Sequence, residues 1–539
     1  MRRFVAAFVH VALTCVVALL VTSASAAVDP EAIRALAFGE SDAKIQAIGT
    51  LGSSGDADAV RLLQAFLDGE MQTVGEAQVL LVQGETGTDV LTGKAISPLP
   101  ENRDDIVLNN RVRKQLATAI AALKLSAPDR ATRLAATKQL QDAADEELLP
   151  AIDRALAKEA DAEIKELLSL TQASIQLASK DRATRVAAIR ALAESSNPAT
   201  KTLLLGVLEQ KNGTYAEPDA ELRAAANKSL RAVETKLATG EMIGRVFSGI
   251  SLGSILLLAA LGLAITYGLM GVINMAHGEL IMIGAYATYI VQNLFRKYAP
   301  GAFDAYLICA VPAAFMASAL VGMALERSVI RFLYGRPLET LLATWGISLI
   351  LMQTVRTIFG AQNVQVENPS WMSGGFVAMT GIVLPWSRIV IVGFAALVLI
   401  LMWFLLARTR LGLFVRAVTQ NRGMASCTGV PTKRVDMLAF GLGSGLAGLA
   451  GCALSQIGNV GPDLGQSYIV DSFMVVVLGG VGQLAGTVYA ALGLGIANKF
   501  IEAWSGAVLA KIAVLVFIIV FIQKRPQGLF ALKGRIAET

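Results

Sequence analysis

The sequence predicts an all-α protein in two parts, an exported helical domain followed by a polytopic helical membrane domain. Composition is the first observation behind this. Of the 539 residues, 54% are hydrophobic and only 17% charged, with a mean hydropathy of +0.56. Soluble domains sit near roughly 45–50% apolar, with about a quarter of their residues charged. The second observation is where the charges lie. Residues 27–240 hold 25 Lys/Arg and 31 Asp/Glu, whereas residues 241–539 hold 20 and 11. An acidic, charge-rich part therefore precedes a basic, charge-poor one. The third is that apolar runs long enough to cross a bilayer recur from Val246 onward.

The first segment, MRRFVAAFVHVALTCVVALLVTSASAAVDP, sets two arginines before an apolar stretch and ends it with Ala24-Ser25-Ala26. This reads as a signal peptide over residues 1–26, with an uncleaved first membrane helix as the alternative. Either way residues 27–240 are expected outside, which in a bacterium means the periplasm or exterior.

Residues 27–240 are rich in Ala, Leu, Glu, Lys, Arg and Asp, which favours helix. A basic-x-x-Ala-x-x-x-Leu pattern recurs at Lys44/Ala47/Leu51, Arg133/Ala136/Leu140, Arg185/Ala188/Leu192 and Arg223/Ala226/Leu230. Two copies open with the same string, Asp129-Arg-Ala-Thr-Arg and Asp181-Arg-Ala-Thr-Arg. Ala and Leu at these offsets share one helix face, and repeats spaced near the ~40–47 residues of HEAT-type helix pairs suggest a HEAT-like solenoid. Residues 69–110 break the pattern with Gly, Thr, Pro and Asn and read as an irregular insertion with short strands.

Residues 241–539 are expected to form the membrane domain. Its apolar runs fall near 246–267, 279–295, 303–325, 340–360, 389–407, 437–457, 472–500 and 508–522. Glycines at 479, 480, 482 and 486 interrupt the seventh, which fits one long helix or a broken hairpin. With the N-terminal domain outside, the loops at 326–339, 408–436 and 523–539 carry thirteen basic residues and face the cytoplasm. The opposite loops carry three, Arg296, Lys297 and Arg388. This asymmetry follows the positive-inside rule, holds at both ends only if 472–500 turns back, and puts the C-terminus inside.

The rare residues exclude several chemistries. The two histidines are His10 and His277, and the four cysteines are Cys15, Cys309, Cys427 and Cys452. A His-based metal site and a Ser-His-Asp relay are hard to build from these, and residues 27–240 hold no cysteine for a disulfide framework. No phosphate-binding G-x-x-x-x-G-K-[ST] loop occurs. An enzyme is disfavoured, and no metal, cofactor or nucleic-acid partner is implied.

Polar groups inside an apolar domain mark the sites to watch. Tyr267-Gly-Leu-Met-Gly-Val-Ile-Asn-Met-Ala-His-Gly-Glu279 sets Asn274, His277 and Glu279 between two apolar runs. A solute pathway and a plain surface turn account for it equally well on the residues alone. The ladder Gly441, Gly443, Gly445, Gly448 and Gly451 reads as close helix packing. The basic loop 408–436 fits either a helix lying on lipid headgroups or one docked on a cytoplasmic protein, and composition does not separate these.

YGLMGVINMAHGELIMIGAY at 267–286, LGGVGQLAGTVYAALGLG at 478–495, and Arg416-Ala417, Asn421, Ala425 and Gly429 before the glycine-rich helix resemble the branched-chain amino acid type permeases of bacterial ABC importers. The resemblance covers essentially all of 246–535. Within that family, ATWGISLILMQTVRTIFGAQNVQVENPSWMSGG at 343–375 and the long exported domain are similar to urea-transport permease subunits.

That resemblance implies a multi-pass subunit of the bacterial inner membrane that moves urea, or a short-chain amide, delivered by a periplasmic binding protein. It also implies two cytoplasmic ATPase subunits and a second, related permease. Arg416, Ala417, Asn421, Ala425 and Gly429 become ATPase-coupling candidates. Asn274, His277, Glu279, Trp345 and Gln353 become pathway candidates, with Asn368 and Trp371 as outer-loop candidates. A branched-chain amino acid permease is the nearest rival. A receptor with an exported sensing domain and a secondary transporter are remoter ones.

Overall fold

The computed structural model describes residues 29–54, 57–75, 78–83, 86–100, 102–141, 146–211, 214–271, 274–379 and 382–530. The expected signal segment lies outside the described residues, as do Lys533 and Arg535 of the basic tail. The chain divides at Leu237/Ala238 into two compact units.

The N-terminal unit begins with α1 (Pro30–Phe38), α2 (Ser41–Ser54) and α3 (Ala57–Leu67). The Gly- and Thr-rich insertion then forms a five-stranded antiparallel sheet: β1 (Met71–Val74), β2 (Gln78–Gln83), β3 (Thr86–Asp89), β4 (Ala95–Ile96) and β5 (Asp104–Asp105). Its order is β4-β3-β2-β1-β5, with Leu80 opposite Asp89 and Thr73 opposite Asp104. Met71 and Val79 turn from it into a core shared with Leu36, Leu63 and Phe66. The insertion is thus more regular than its composition suggests.

Helices resume with α4 (Asn110–Lys124), α5 (Arg130–Gln141), α6 (Leu149–Lys158), α7 (Ala162–Leu177), α8 (Arg182–Leu192) and α9 (Pro198–Leu208). A short hairpin, β6 (Gln210–Lys211) with β7 (Thr214–Tyr215), precedes α10 (Ala220–Met270). The duplicated Asp-Arg-Ala-Thr-Arg string makes the same contacts twice. Asp129 accepts from Thr132 N and Oγ1, and Asp181 accepts from Thr184 N and Oγ1, so each aspartate caps its helix. Arg130 pairs with Asp161 and Glu163, and Arg182 pairs with Asp219 and Glu221. Arg133 donates to the Ala127 and Pro128 carbonyls, as Arg185 does to those of Ser179 and Lys180. Ala136, Leu140, Ala188 and Leu192 are buried on the inner face.

The second unit continues with α11 (His277–Tyr298), α12 (Tyr306–Ser328), α13 (Pro337–Phe359), the hairpin β8 (Gly375–Met379) and β9 (Ile382–Pro385), and α14 (Trp386–Arg408). Two short helices follow, α15 (Arg410–Gln420) and α16 (Arg422–Cys427). The chain then forms α17 (Thr432–Ser455), α18 (Leu464–Gly479), α19 (Leu484–Ser505) and α20 (Ala507–Lys524). Among the described residues, seven helices are long and apolar enough to cross a membrane. α11 is not one of them, because its apolar run also carries Glu279, Gln292, Arg296 and Lys297.

The run at 472–500 is two helices. They break at Gly480 (φ +98°) and Gly482 (φ +78°), backbone angles that favour glycine. They fold back so closely that a Cβ on Gly486 would lie 1.9 Å from the Gly479 carbonyl oxygen.

α17 forms the hub of this unit, and its residues from Gly443 to Ser455 are all buried. The expected glycine packing explains how three helices reach it. A Cβ on Gly443 would meet the Gly262 oxygen of α10 at 2.7 Å, one on Gly448 the Ala314 oxygen of α12 at 2.5 Å, and one on Gly451 the Ile281 oxygen of α11 at 1.9 Å. Backbones in direct contact gain dispersion where lipid offers no hydrophobic drive.

Candidate functional site

The first polar cluster lies where α10 gives way to α11. The His277 ring Nε2 sits 3.0 Å from the Ala259 carbonyl, and Ala259 precedes the end of α10 by eleven residues. At 1.5 Å per residue the His277 ring reaches a point about 16 Å back along α10 from its end. The segment is therefore re-entrant and not a turn at a helix end. A carbonyl only accepts, so Nε2 carries the proton and donates, and Nδ1 is a buried acceptor without a partner. Asn274 Oδ1 accepts from Ala276 N at 3.0 Å, a local turn that directs the chain into α11.

Hydroxyls from α13 complete this cluster. Thr344 Oγ1 accepts from Met275 N at 3.2 Å, and Ser348 Oγ donates to Glu279 Oε1 at 2.8 Å. Asn274, His277 and Glu279 are all buried, and Asn274 Nδ2 and Glu279 Oε2 have no partner. Buried polar atoms are nearly always satisfied, so three orphans within six residues distinguish this segment from ordinary packing.

The second cluster ties the basic loop to the helix ends. Gly412 lets α15 fold directly under α14, since a Cβ there would be 2.1 Å from the Leu406 oxygen. Asn421 caps α16 by accepting from Met424 N at 2.9 Å, and Ala425 is buried beneath it. Gly429, at φ +86°, ends the turn, with Val430 N donating to the Ala425 oxygen. Arg416 is exposed and Ala417 partly buried.

One residue of α16 is bonded into the helix bundle. Arg422 pairs with the buried Asp436 of α17, and its guanidinium lies 4.7 Å from the Tyr334 ring centroid. Tyr334 in turn donates to Glu326 of α12, a buried carboxylate that also pairs with Arg331 at 3.1 Å. A chain of ionic and ring contacts thus runs from the basic loop to α12 and α17.

A family model for the branched-chain amino acid transport system permease component matches residues 245–523, just over half of the chain. The chain belongs to this permease family. It is similar to the high-affinity branched-chain amino acid permease BraD of Pseudomonas aeruginosa, at 29% identity over 48% of this chain and 85% of that protein. It is also similar to LivH of Escherichia coli, at 28% identity over 53% of this chain and 94% of the relative. A shorter match, 31% over 18% of this chain, reaches the ribose import permease RbsC of Escherichia coli. These relatives are permease components and not ATPases, and the protein is an ABC-type integral membrane permease.

Within this permease the remaining candidates are dispersed. Trp345 and Gln353 are exposed, while Thr340, Thr344 and Ser348 of the same helix are buried. The hydroxyls of Thr344 and Ser348, four residues apart, bring α13 to the α11 start. That spacing is visible in the sequence and is the signal that could have found them. Asn368 and Trp371 are also exposed. Trp371 Nε1 donates to the Asp304 carbonyl, and the Asp304 carboxylate accepts from Ser370 N and Oγ, which holds the loop after α13 on the segment before α12.

Proposed function

We propose that the chain is the permease subunit of an importer for urea or short-chain amides. A periplasmic binding protein loads it, two cytoplasmic ATPase subunits drive it, and a second related permease completes the pathway. Residues 1–26 act as a signal peptide, residues 27–240 form a periplasmic HEAT-like domain, and the C-terminus is cytoplasmic. The re-entrant segment with Asn274, His277 and Glu279 lines the pathway. Arg416, Ala417, Asn421, Ala425 and Gly429 belong to the segment that meets an ATPase.

The observation that carries the reading is the re-entrant segment. Irregular backbone with unpartnered polar side chains at this depth of an apolar bundle lines a cavity or packs inside protein. The urea assignment leans on the likeness of residues 343–375 to urea-type permeases. It leans also on the added N-terminal unit, since nearly all of LivH is matched by about half of this chain. A second reading, branched-chain amino acid import, is favoured by the names of the closely matching relatives. Uptake of labelled urea and labelled leucine, in cells with and without the chain, separates the two. The urea reading expects urea uptake that depends on the chain and resists excess leucine; chain-dependent leucine uptake that excess urea leaves intact would replace it.

A further inference from the structure

We propose that Glu279 and Asp463, together with the Tyr286 hydroxyl, form a solute-recognition site that reads N–H donors inside the membrane unit. The inference rests on the permease reading above and deepens it by naming the groups that meet the solute. The starting point is a seam between α11 and α18. A Cβ on Gly465 would lie 2.1 Å from the Gly278 oxygen and 3.0 Å from Glu279 N, and one on Gly278 would lie 2.7 Å from the Gly465 oxygen. Backbone therefore meets backbone where α18 begins, and Asp463, two residues earlier, stands beside the first turn of α11. Its side chain does not cap α18, and the residue is exposed.

The opposing groups on α11 are buried and incomplete. Glu279 Oε2 and the Tyr286 hydroxyl have no hydrogen-bond partner. They are seven residues apart, two turns along one face of the helix. Asp463 acts electrostatically on both of them, and Arg356 of α13 acts on Glu279. Tyr286 is held by the Phe359 ring, whose centroid is 4.7 Å from its own.

A carboxyl oxygen without a proton accepts hydrogen bonds, so Glu279 Oε2 and Asp463, on the two sides of the Gly278/Gly465 seam, favour a solute with donors. Ser348 supplies one donor, to Glu279 Oε1. Oε2 is left open to a donor on the solute. Urea, a primary amide and an α-ammonium group all offer paired N–H donors, while Tyr286 and Arg356 can meet an acceptor on the same molecule. Because Asp463 is exposed and Glu279 buried, the solute meets Asp463 first. It reaches Glu279 only when α11 and α18 part at the Gly278/Gly465 seam.

The test uses the whole transporter, co-purified with its ATPases and placed in vesicles with saturating loaded binding protein. Solute moved per ATP hydrolysed is read for labelled urea and labelled leucine. Asp463→Asn, Glu279→Gln and Tyr286→Phe should each lower that ratio, by about tenfold or more for the two carboxylate variants. ATP hydrolysis should still respond to loaded binding protein. A purely structural role would lower abundance or abolish that response instead, and that result overturns the proposal. An unchanged ratio in all three variants overturns it equally. Should the wild-type vesicles accumulate neither solute, the functional reading itself fails; should they accumulate one while the variants match them, only the site assignment fails.

Discussion

In the N-terminal unit charged side chains pair at the surface and the pairing repeats with the sequence: Arg130 holds Asp161 and Glu163 just as Arg182 holds Asp219 and Glu221. In the membrane unit charges are few, and at the basic loop they converge on two buried carboxylates, Glu326 and Asp436. The same chemistry therefore does different work in each place. Exposed pairs are screened and contribute little singly, so repetition matters more than any one of them. A buried carboxylate that loses its cation has no water to replace it. The first unit should tolerate single losses and the second should not.

The largest expected effect needs no charge at all. Gly451→Val would force a side chain into the Ile281 carbonyl, 1.9 Å from the position of its Cβ, and the obstacle is backbone that cannot rotate aside. Separation of α11 from α17 should abolish stable insertion. Quantitative immunoblotting of membranes checks this, and wild-type abundance would show that the glycine ladder is not what brings these helices together.

Next comes the link between the basic loop and the bundle. Arg422→Ala leaves Asp436 buried without its cation. For a fully buried pair that costs roughly 3–5 kcal/mol, and less here because Arg422 is 41% exposed. Gly429→Val acts differently. Nothing lies within 4 Å of its Cβ position, so the cost is the φ of +86°, and it falls on the turn alone. Gly429→Val should give normal membrane abundance but lost uptake, with ATPase association lost or ATP hydrolysis deaf to loaded binding protein. Arg422→Ala should lower abundance as well as uptake. Co-purified ATPase and uptake, measured on both, distinguish a docking segment from a helix that rests on lipid, for which ATPase association would survive in both.

These positions also show what the sequence could convey. The glycine ladder, the break near Gly480 and the duplicated Asp-Arg-Ala-Thr-Arg string are local patterns, and each has a local structural consequence. Asn274, His277 and Glu279 were legible as polar residues in an apolar setting. That the chain runs back along α10 to set His277 against Ala259 was not, because eleven residues of helix separate that carbonyl from the turn. The Arg422–Asp436–Tyr334–Glu326 link is equally non-local and joins three loops and helix ends. Trp345 and Gln353 stand exposed on α13, whereas the small hydroxyls of Thr344 and Ser348 make its contacts with the start of α11. In the insertion, Gly and Thr read as irregular because the pairing that orders them reaches from Gln72 to Asp105.

The smallest effect belongs to the repeated surface pairs, and pH is the means to see it. Arg130 beside Asp161 holds that carboxyl below the usual aspartate range, chiefly through their hydrogen bond, although burial pulls the other way. Asp219 is lowered in the same manner by Arg182. A carboxyl whose folded pKa is depressed contributes its full stability above the unfolded value, near about 3.9, and loses it as pH falls through the folded value. Arg130→Ala and Arg182→Ala in the N-terminal unit, residues 29–237, should therefore each lower Tm modestly at neutral pH, by about 2–4 °C or less. The deficit should shrink as pH falls below about 4, where wild type has lost the same contribution. High salt should shrink it too. The two pairs share no residue, so the double variant should show nearly the sum of the single losses. A deficit that persists unchanged at low pH would mean that the arginines act through packing of their stems and not through the pairs, and the contrast between the two units would then rest on the buried carboxylates alone.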